Sequence, residues 1–233
     1  MKYLLIDARM RDVEKKTLQE LGYNLIEMKK NDNVYEEISS HVDIFSCKIG
    51  NKVIVESTQK SSIPEFIQVE YGSEKVKETY PEDIKYNVCI IGKKAIHNFK
   101  YTDAKIKEEL IKQKYELINT TQGYTNCSIA VIDNNSAIVT DKGLYKILQA
   151  HNIDVLYIRG KLDIKLLNKN EYSDKQGFIG GAMSRIGNKI IVFGDLRKID
   201  NSGEIRNFIK SKNVEIIEFE NLDIVDYGGI VEV

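Results

Sequence analysis

The sequence contains few side chains that could act as a nucleophile or transfer a proton near neutral pH. Among its 233 residues are three cysteines and three histidines: Cys47, Cys89, Cys127, His41, His97 and His151. A cysteine thiolate can attack an electrophilic carbon, and a histidine can move the protons that such a reaction requires. These residues do not show metal-ligand spacing, so we expect thiol chemistry with neither a metal nor an organic cofactor.

The surroundings of the three cysteines differ. Cys89 lies in the apolar run 88–91 and Cys47 lies within a predicted strand, so both are predicted to be structural. Cys127 lies between two polar residues in a segment without bulky neighbours. It is therefore the candidate nucleophile, and the alternative is a small buried hydrophobic residue in a strand.

The histidines separate in the same way. His97 follows a predicted strand, and His151 ends a predicted helix, where a histidine interacts favourably with the helix dipole. His41 follows two serines at the entrance of a predicted strand. It is either an acid/base group or an exposed loop histidine.

Composition and charge exclude several classes of protein. Hydrophobic residues make up 42% and charged residues 30% of the chain, as in globular proteins. With 34 Lys and Arg against 35 Asp and Glu, the net charge is −1, which argues against nucleic-acid or anionic-membrane partners. The sequence has no apolar run long enough for a membrane span and no signal-peptide core at its start, and its cysteines are sparse. We therefore expect a cytoplasmic protein.

A repeat organises the chain. The tetrapeptide Ile-Gly-Asn-Lys occurs at 49–52 and again at 186–189, each time followed by an apolar run. Similar segments at 91–94 and 132–135 also contain the Gly, Asn and Asp residues of hairpin turns, so a two-residue turn is predicted in each. The steps between these segments are 42, 41 and 54 residues. The extra residues of the last step fall in the polar stretch from Lys161 to Lys175, which is predicted to be a loop.

Each of the last three hairpins precedes a helix and a strand. The predicted helices are 104–114, 143–150 and 204–210, and the predicted strands are 115–119, 155–158 and 214–219. An aspartate stands at each junction, where its carboxylate can cap the helix: Asp103, Asp141 and Asp195. The repeating unit is therefore predicted to be hairpin, helix, strand.

The two ends of the chain complete a fifth unit. Residues 1–6, 14–21 and 23–27 predict a strand, a helix and a strand, which lack the first hairpin strand. The C-terminal segment 226–233 can supply it and so close a ring without exposed sheet edges. The unit containing 57–84 is irregular, and its helix is predicted to be short or absent. The chain 1–233 is thus predicted to be a single α/β domain, a five-bladed pseudo-symmetric α/β propeller.

This architecture resembles the pentein fold of the guanidino-group-modifying superfamily. That superfamily includes arginine and agmatine deiminases, dimethylarginine hydrolases, amidinotransferases and non-catalytic members. The segment His41-Val42-Asp43 is similar to the deiminases' His-x-Asp segment, and the segment from Gln122 to Cys127 is similar to the Gly-rich run that ends in their nucleophile. The cysteine unit comes last in the hydrolases and third here, a circular shift that a closed ring permits.

The resemblance implies roles for these residues. Cys127 would be the nucleophile, His41 the acid/base, and Asp43 a carboxylate that helps to hold a guanidinium group. The superfamily's Glu-Gly-Gly-Asp strand is absent. Partial echoes occur at Asp226-Tyr227-Gly228-Gly229, which makes Asp226 the candidate acid, and around Gly180 and Gly181. Tyr124, Gly180 and Gly181 complete the predicted substrate-binding set: Asp43, Asp226, Tyr124, Gly180 and Gly181.

The resemblance thus implies a thiol-dependent hydrolase that breaks a C–N bond of a guanidino or amidino compound through a covalent cysteine intermediate. Its expected partner is a small cationic ligand. The alternative is a non-catalytic pentein that binds a small cationic metabolite or a protein partner. The missing Glu-Gly-Gly-Asp strand favours this alternative.

Overall fold

Each apolar run beside a predicted turn forms one strand of a β-hairpin, and each hairpin pairs with a third strand. The computed structural model describes residues 1–167 and 175–233. Within these residues there are five three-stranded sheets. In each sheet the middle strand is antiparallel to one neighbour and parallel to the other. These sheets are the blades of the predicted five-bladed α/β propeller, so the predicted fold class is confirmed.

The strands are, in chain order, β1 Lys2–Asp7, β2 Tyr23–Met28, β3 Ser46–Ile49, β4 Lys52–Val55, β5 Glu70–Tyr71, β6 Cys89–Ile91, β7 Lys94–His97, β8 Glu116–Asn119, β9 Ile129–Val131, β10 Ser136–Val139, β11 Asp154–Tyr157, β12 Met183–Ile186, β13 Lys189–Val192, β14 Glu215–Ile217 and β15 Val231–Glu232. The blades are β15-β1-β2, β3-β4-β5, β6-β7-β8, β9-β10-β11 and β12-β13-β14.

The first and last strands close the ring. β15 pairs antiparallel with β1, with Glu232 opposite Leu4 and Val231 opposite Leu5. β1 in turn pairs in parallel with β2. The C-terminal segment therefore completes the blade that the N-terminal segment begins, as predicted.

The length of each hairpin turn depends on whether the turn contains a glycine. Gly50, Gly92 and Gly187 have φ values near +60°, and each stands in a two-residue turn. The hairpin between β9 and β10 has no glycine in its turn, and the turn spans four residues, 132–135. There the carboxylate of Asp133 accepts a hydrogen bond from the backbone N–H of Asn135. This longer turn differs from the two-residue turn predicted.

The α-helices are α1 Asp12–Glu20, α2 Val42–Phe45, α3 Ala104–Lys112, α4 Thr125–Ser128, α5 Lys142–Ala150 and α6 Ser202–Ser211; the 3₁₀ helices are Glu36–Ile38, Ser57–Ser62 and Leu196–Lys198. Two of the three predicted aspartate caps are confirmed. Asp103 accepts from the backbone N–H of Lys105, and Asp141 from that of Leu144. Asp195 caps the 3₁₀ helix Leu196–Lys198 rather than α6 itself.

Two predicted irregular regions can be compared with the structure. The second blade has the 3₁₀ helix Ser57–Ser62 in place of an α-helix, as its irregular sequence predicted, and its outer strand β5 has two residues. Of the predicted loop 161–175, residues 168–174 lie outside the described part of the chain. Residues 161–167 contain one isolated bridge, between Lys165 and Val225.

The ring axis positions the candidate site. The strands β3, β6, β9, β12 and β15 all contribute to the wall of one cavity, so they surround the axis. Apolar side chains packed between sheets and helices fix these strands in place. Across residues 1–167 and 175–233, no helix is long and apolar enough to cross a membrane.

Candidate functional site

His41 and Cys127 belong to equivalent one-turn helical segments, although at different positions within them. His41 immediately precedes α2 and Cys127 lies within α4, and each of these one-turn helices leads directly into the first strand of a hairpin. The sequence predicted strand entrances, and the backbone is instead helical there. Neighbouring blades cause the difference, because they accept the backbone N–H groups of each turn. Asp43 donates to the Gly228 carbonyl, and Asn126 donates to the Asn87 side chain at 2.8 Å.

Cys127, His41 and Asp226 line the same cavity, which has a volume of about 570 Å³. The structure therefore brings together residues from three distant parts of the sequence. We call this space the first cavity. Each of the three residues is at most 2% exposed, so their polar atoms lie away from bulk water.

Backbone N–H groups hold the carboxylate of Asp226. Phe178 donates to its Oδ2 at 2.8 Å, and Gly228 donates to its Oδ1 at 2.9 Å. The same Oδ1 lies 3.8 Å from Nδ1 of His41. Burial raises the pKa of Asp226, and the charge of His41 opposes that effect. Asp226 thus stands beside the histidine with its position fixed.

His41 is a buried imidazole beside Asp226. Neither Nδ1 nor Nε2 has one among the residues that the structure describes. Burial lowers the pKa of His41, and the charge of Asp226 acts in the opposite direction. The ring is therefore neutral near pH 7 and able to accept a proton.

The thiol of Cys127 is bonded to polar neighbours. Its Sγ lies 2.9 Å from Oδ2 of Asp43, to which it donates, and accepts from Nδ2 of Asn87 at 3.1 Å. Burial, followed by the charges of Asp43 and Asp226, raises the pKa of Cys127 well above its ordinary value. The thiol is therefore protonated near neutral pH when no cation lies beside it.

Asp43 is not among the described residues that line the first cavity. It lies behind Cys127 and lines a second cavity, of about 520 Å³, rather than the first. Burial raises its pKa to about 6, although hydrogen bonds from Cys127 and Asn126 act in the opposite direction. The geometry thus assigns Asp43 to the thiol rather than to the wall that a ligand in the first cavity would contact.

Gly180 and Gly181 allow close packing beneath the site. A Cβ atom at Gly180 would lie 2.2 Å from the backbone oxygen of Asn126, and one at Gly181 would lie 1.9 Å from Oδ1 of Asp226. Neither glycine is among the described residues that line the first cavity. The two glycines thus allow the Cys127 turn and Asp226 to pack closely against this segment, and their predicted contact with substrate stays a prediction.

Tyr124 does line the first cavity, together with other aromatic side chains. Its ring stacks on Phe178 with centroids 6.1 Å apart and lies 5.7 Å from the ring of Tyr80. Its hydroxyl donates to Asp83, a buried carboxylate. The cavity wall is therefore aromatic beside Cys127, and Tyr124 is held in a fixed orientation.

The sequence did not single out Glu37, which also lines the first cavity. Glu37 is 8% exposed, and among the described residues its carboxylate has no hydrogen bond or ion pair. Its backbone carbonyl accepts from Arg9, which also binds the buried Asp7, so the segment is anchored. Two adjacent acidic residues such as Glu36 and Glu37 are typical of a solvent-exposed segment, so the sequence does not indicate that Glu37 is buried.

Asn87 was also missed. Its side-chain oxygen accepts from the backbone N–H groups of Asn126 and Cys127, and its side-chain nitrogen donates to Sγ of Cys127. One residue from a neighbouring blade thus fixes both the turn and the thiol. No motif in the sequence marks this role.

The remaining candidates lie elsewhere. Cys47 and Cys89 are buried in β3 and β6, where burial raises the pKa of each thiol. His97 is buried, with Nδ1 2.6 Å from the Thr102 hydroxyl, and His151 lies 2.6 Å from Glu116 at the protein surface. In the described part of the chain, no three His, Cys, Asp or Glu side chains form a metal-binding group.

Solved structures of two kinds of enzyme resemble the chain. A cysteine-to-serine variant of dimethylarginine dimethylaminohydrolase from Pseudomonas aeruginosa, complexed with citrulline, matches with a TM-score of 0.55 at 11% identity. The match covers 95% of this chain and 92% of that one. The agmatine deiminase of C. jejuni matches with a TM-score of 0.54 at 11% identity, covering 96% of this chain and 91% of that one.

A third structure extends the comparison. A histidine-to-glycine variant of dimethylarginine dimethylaminohydrolase, in an adduct with S-methyl-L-thiocitrulline, matches with a TM-score of 0.56 at 10% identity. It covers 95% of this chain and 92% of that one. With the five blades described above, these likenesses show that the chain has the pentein fold, as the sequence indicated.

The chain belongs to the family of unknown function DUF6873, whose model matches residues 5–231. No curated protein matches the sequence.

Proposed function

We propose that the chain is a thiol-dependent hydrolase that cleaves a C–N bond of a guanidino or amidino compound through a covalent intermediate on Cys127. The observation that carries this proposal is the convergence of Cys127, His41 and Asp226 on the first cavity. The buried imidazole of His41 has no hydrogen-bond partner among the described residues, which is costly, so its retention there suits a group that acts on a ligand. The shared fold with a dimethylarginine hydrolase and an agmatine deiminase supports the proposed substrate class.

Two carboxylates would attract a cationic ligand to the first cavity. Asp226 is fixed beside His41, and Glu37 has no cationic partner among the described residues. Charge-assisted hydrogen bonds from a planar amidinium to such carboxylates orient its carbon for attack. Because the net charge of the chain is only −1, attraction must come from these local groups.

The proton balance follows from the protonation states of the free site. The neutral imidazole of His41 takes the proton of Cys127, and the thiolate attacks the amidinium carbon. The C–N bond then breaks as His41 gives that proton to the leaving amine, leaving a cationic thiouronium on Cys127. Water adds next and the C–S bond breaks, which yields a ureido or amide product, the free thiol and one proton. A cation in the cavity favours the first step, because its charge offsets Asp43 and Asp226.

The test is turnover of a panel of guanidino and amidino compounds by purified protein, with detection of ureido product and of a covalent adduct by mass spectrometry. We expect Cys127→Ala to abolish both product and adduct. Cys47→Ala is the matched control, since it removes another buried thiol outside the first cavity and should retain activity. Turnover that persists in the Cys127→Ala protein would refute the mechanism.

Glu37 provides a second prediction about the same cavity. Replacing Glu37 by Gln keeps its shape and removes its charge, so a cationic substrate should bind more weakly. We expect KM to rise about tenfold, because a hydrogen bond to a charged group contributes roughly 1.5–3 kcal/mol, while kcat changes less. Glu36→Gln is the control, as the exposed Glu36 pairs with Lys30. Equal KM values for the two variants would remove Glu37 from the binding site.

A non-catalytic pentein is the second candidate function. The raised pKa of the Cys127 thiol and the missing Glu-Gly-Gly-Asp strand favour it. In that case the first cavity binds a small cation without turnover. Calorimetry would then give equal affinities for the wild type and the Cys127→Ala variant, with no ureido product from either.

We also propose a cytoplasmic location. The three cysteines are all free and buried, which suits a reducing compartment. Fractionation of cells that produce the protein tests this prediction.

A further inference from the structure

Asn87 binds three successive residues of the turn that carries Cys127. It lies two positions before β6, in the blade that precedes the blade of Cys127, and it is fully buried. Its backbone carbonyl accepts from the Thr125 hydroxyl at 2.7 Å, and its side chain bonds to Asn126 and Cys127. The position of Asn87 relative to the thiol is therefore fixed by several contacts at once.

The direction in which the Asn87 amide points is set by its hydrogen bonds. Its Oδ1 accepts from the backbone N–H groups of Asn126 at 2.8 Å and of Cys127 at 3.3 Å. A backbone N–H can only donate, so the side-chain atom that faces these two groups must be the oxygen. The amide nitrogen is therefore the atom that faces Sγ of Cys127, at a distance of 3.1 Å.

The turn itself requires the oxygen of this amide and not the nitrogen. Aspartate would offer the same acceptor to the two backbone N–H groups, since a carboxylate has nearly the shape of an amide. Asparagine adds an N–H group, which lies 3.1 Å from Sγ of Cys127 and 3.4 Å from the backbone carbonyl oxygen of Asp43. Because sulfur is larger than oxygen, the contact with sulfur is clearly the closer of the two.

Two side chains meet the sulfur, and their effects on its ionisation are opposite. Oδ2 of Asp43 accepts from the thiol at 2.9 Å, which favours the protonated form. Nδ2 of Asn87 donates to the sulfur, and a donor binds a thiolate more strongly than a neutral thiol. Burial and the charges of Asp43 and Asp226 raise the pKa of Cys127, and the hydrogen bond from Asn87 lowers it. Among residues 1–167 and 175–233, Asn87 supplies the one hydrogen bond that Sγ accepts.

We propose that the side-chain N–H of Asn87 stabilises the thiolate of Cys127 and that Asn87 is thereby a catalytic residue. Its part in turnover rests on the proposed hydrolase function, whereas its effect on the thiolate does not. The donor is already in place before the charge forms, because the amide oxygen is bound to the turn. No rearrangement is then needed when the sulfur ionises.

The sulfur carries a negative charge at two points of the proposed reaction. After His41 takes the thiol proton, the charge stays on Sγ of Cys127 until its electron pair forms the C–S bond. When that bond breaks, the pair returns to the sulfur, which then takes up one of the protons of the added water. The N–H of Asn87 stabilises the charge each time. Its loss should therefore slow both the formation and the hydrolysis of the covalent intermediate.

The test is the rate at which iodoacetamide alkylates Cys127 between pH 7 and 9, followed by peptide mass spectrometry without any substrate. Asn87→Asp keeps an acceptor for the turn, removes the donor to the sulfur and adds a negative charge. We expect this variant to react at least about tenfold more slowly than the wild type, because one pKa unit changes the thiolate fraction tenfold. If Asn87 merely anchors the turn, the two proteins should react alike, and that result would overturn the proposal.

Asn87→Ala separates the lost donor from the added charge. It removes the N–H without introducing a carboxylate, so Cys127 should again react more slowly than in the wild type, though faster than in Asn87→Asp. It also keeps the test decisive if Asn87→Asp does not fold. Cys89, two residues further along the chain, reports any loosening of the segment. Faster alkylation of Cys127 in Asn87→Ala, with an unchanged rate at Cys89, would contradict the proposal.

Thr125→Val is the matched control. It removes the hydroxyl that donates to the backbone carbonyls of Asn87 and Ile96, at 2.7 and 2.8 Å, and it leaves the donor to the sulfur in place. Cys127 should therefore keep the pH dependence of the wild type in this variant. A slowing equal to that of Asn87→Ala would show that anchoring of the turn, and not the N–H of Asn87, sets the reactivity of the thiol.

Turnover distinguishes the failure of this proposal from the failure of the hydrolase function. With an active wild type, Asn87→Asp should lower kcat at least about tenfold and change KM less, since Asn87 is not among the described residues that line the first cavity. An unchanged kcat would remove Asn87 from the catalytic residues. A wild type without turnover would refute the hydrolase function, and the alkylation rates would still decide whether Asn87 stabilises the thiolate.

Discussion

Cys127 and Cys89 are buried to the same degree but lie in different surroundings. Cys89 is fully buried in β6 among apolar side chains, and Cys127 is 2% exposed in a one-turn helix. Burial raises the pKa of both thiols. Burial and pKa direction therefore do not tell a core cysteine from a candidate nucleophile in this protein.

The polar contacts of the two thiols do differ. Cys127 bonds to Asp43 and Asn87 and borders a cavity shared with His41, whereas Cys89 packs in a core cluster. Burying the polar side chains of Asp43 and Asn87 beside Cys127 costs free energy, and apolar packing of the kind around Cys89 would have avoided that cost. Buried polar partners, rather than burial itself, therefore distinguish the candidate nucleophile from the core cysteine.

The largest expected effect is a pH dependence of the free energy of unfolding. It arises from Asp43, the carboxylate beside Cys127. Its pKa rises from 3.8 to about 6 on folding, so the folded state binds a proton more tightly than the unfolded state. The stability that this proton provides is present below about pH 4 and is lost as the pH rises through about 6. A shift of about two units corresponds to roughly 3 kcal/mol.

Urea unfolding measures this contribution of Asp43 to the free energy of unfolding. The wild type and Asp43→Asn are compared at several pH values from 4 to 7. The stability of the wild type relative to the variant should fall by roughly 2.5 kcal/mol across that range. Cys89→Ala should keep the pH profile of the wild type, because it leaves Asp43 unchanged. A constant difference between wild type and Asp43→Asn would show that Asp43 ionises alike in both states.

The next effect compares serine substitutions at the two cysteines. At position 89 a hydroxyl would lie among apolar side chains, and leaving it without a partner should cost roughly 1–3 kcal/mol. At position 127 the hydroxyl can donate to Asp43 and accept from Asn87, so Cys127→Ser should unfold at nearly the urea concentration of the wild type. Equal destabilisation of the two variants would remove the contrast between their surroundings.

The fold could be predicted from the sequence because its signals repeat. Four turn segments at related spacing, with aspartates before the helices, gave the blade, and the ends of the chain gave the closure. Each signal is local and depends on backbone chemistry, such as the positive φ of Gly50. Missing local signals explain the errors, including the four-residue turn 132–135, which has no glycine.

The site could be predicted only in part, because its geometry depends on contacts between blades. Resemblance indicated Cys127, His41 and Asp226, which do line one cavity. The sequence could not show that Asn87 would bind the Cys127 turn, or that Glu37 would be buried, since both facts depend on residues far away in the chain. The one-turn helices were missed for the same reason, as neighbouring blades hold them.

The smallest of these effects tests the charge beside Cys127 directly. Asp43→Asn removes the charge that, after burial, most raises the pKa of this thiol, and it leaves a side chain of similar shape. Near pH 7.5, iodoacetamide should then alkylate Cys127 at least about tenfold faster than in the wild type, as one pKa unit changes the thiolate fraction tenfold. Cys89 should react no faster in the variant than in the wild type, since Asp43 has a smaller effect on it than its burial does. Equal acceleration at both cysteines would mean that the substitution loosens the ring as a whole, and an unchanged rate at Cys127 would mean that burial alone sets its reactivity.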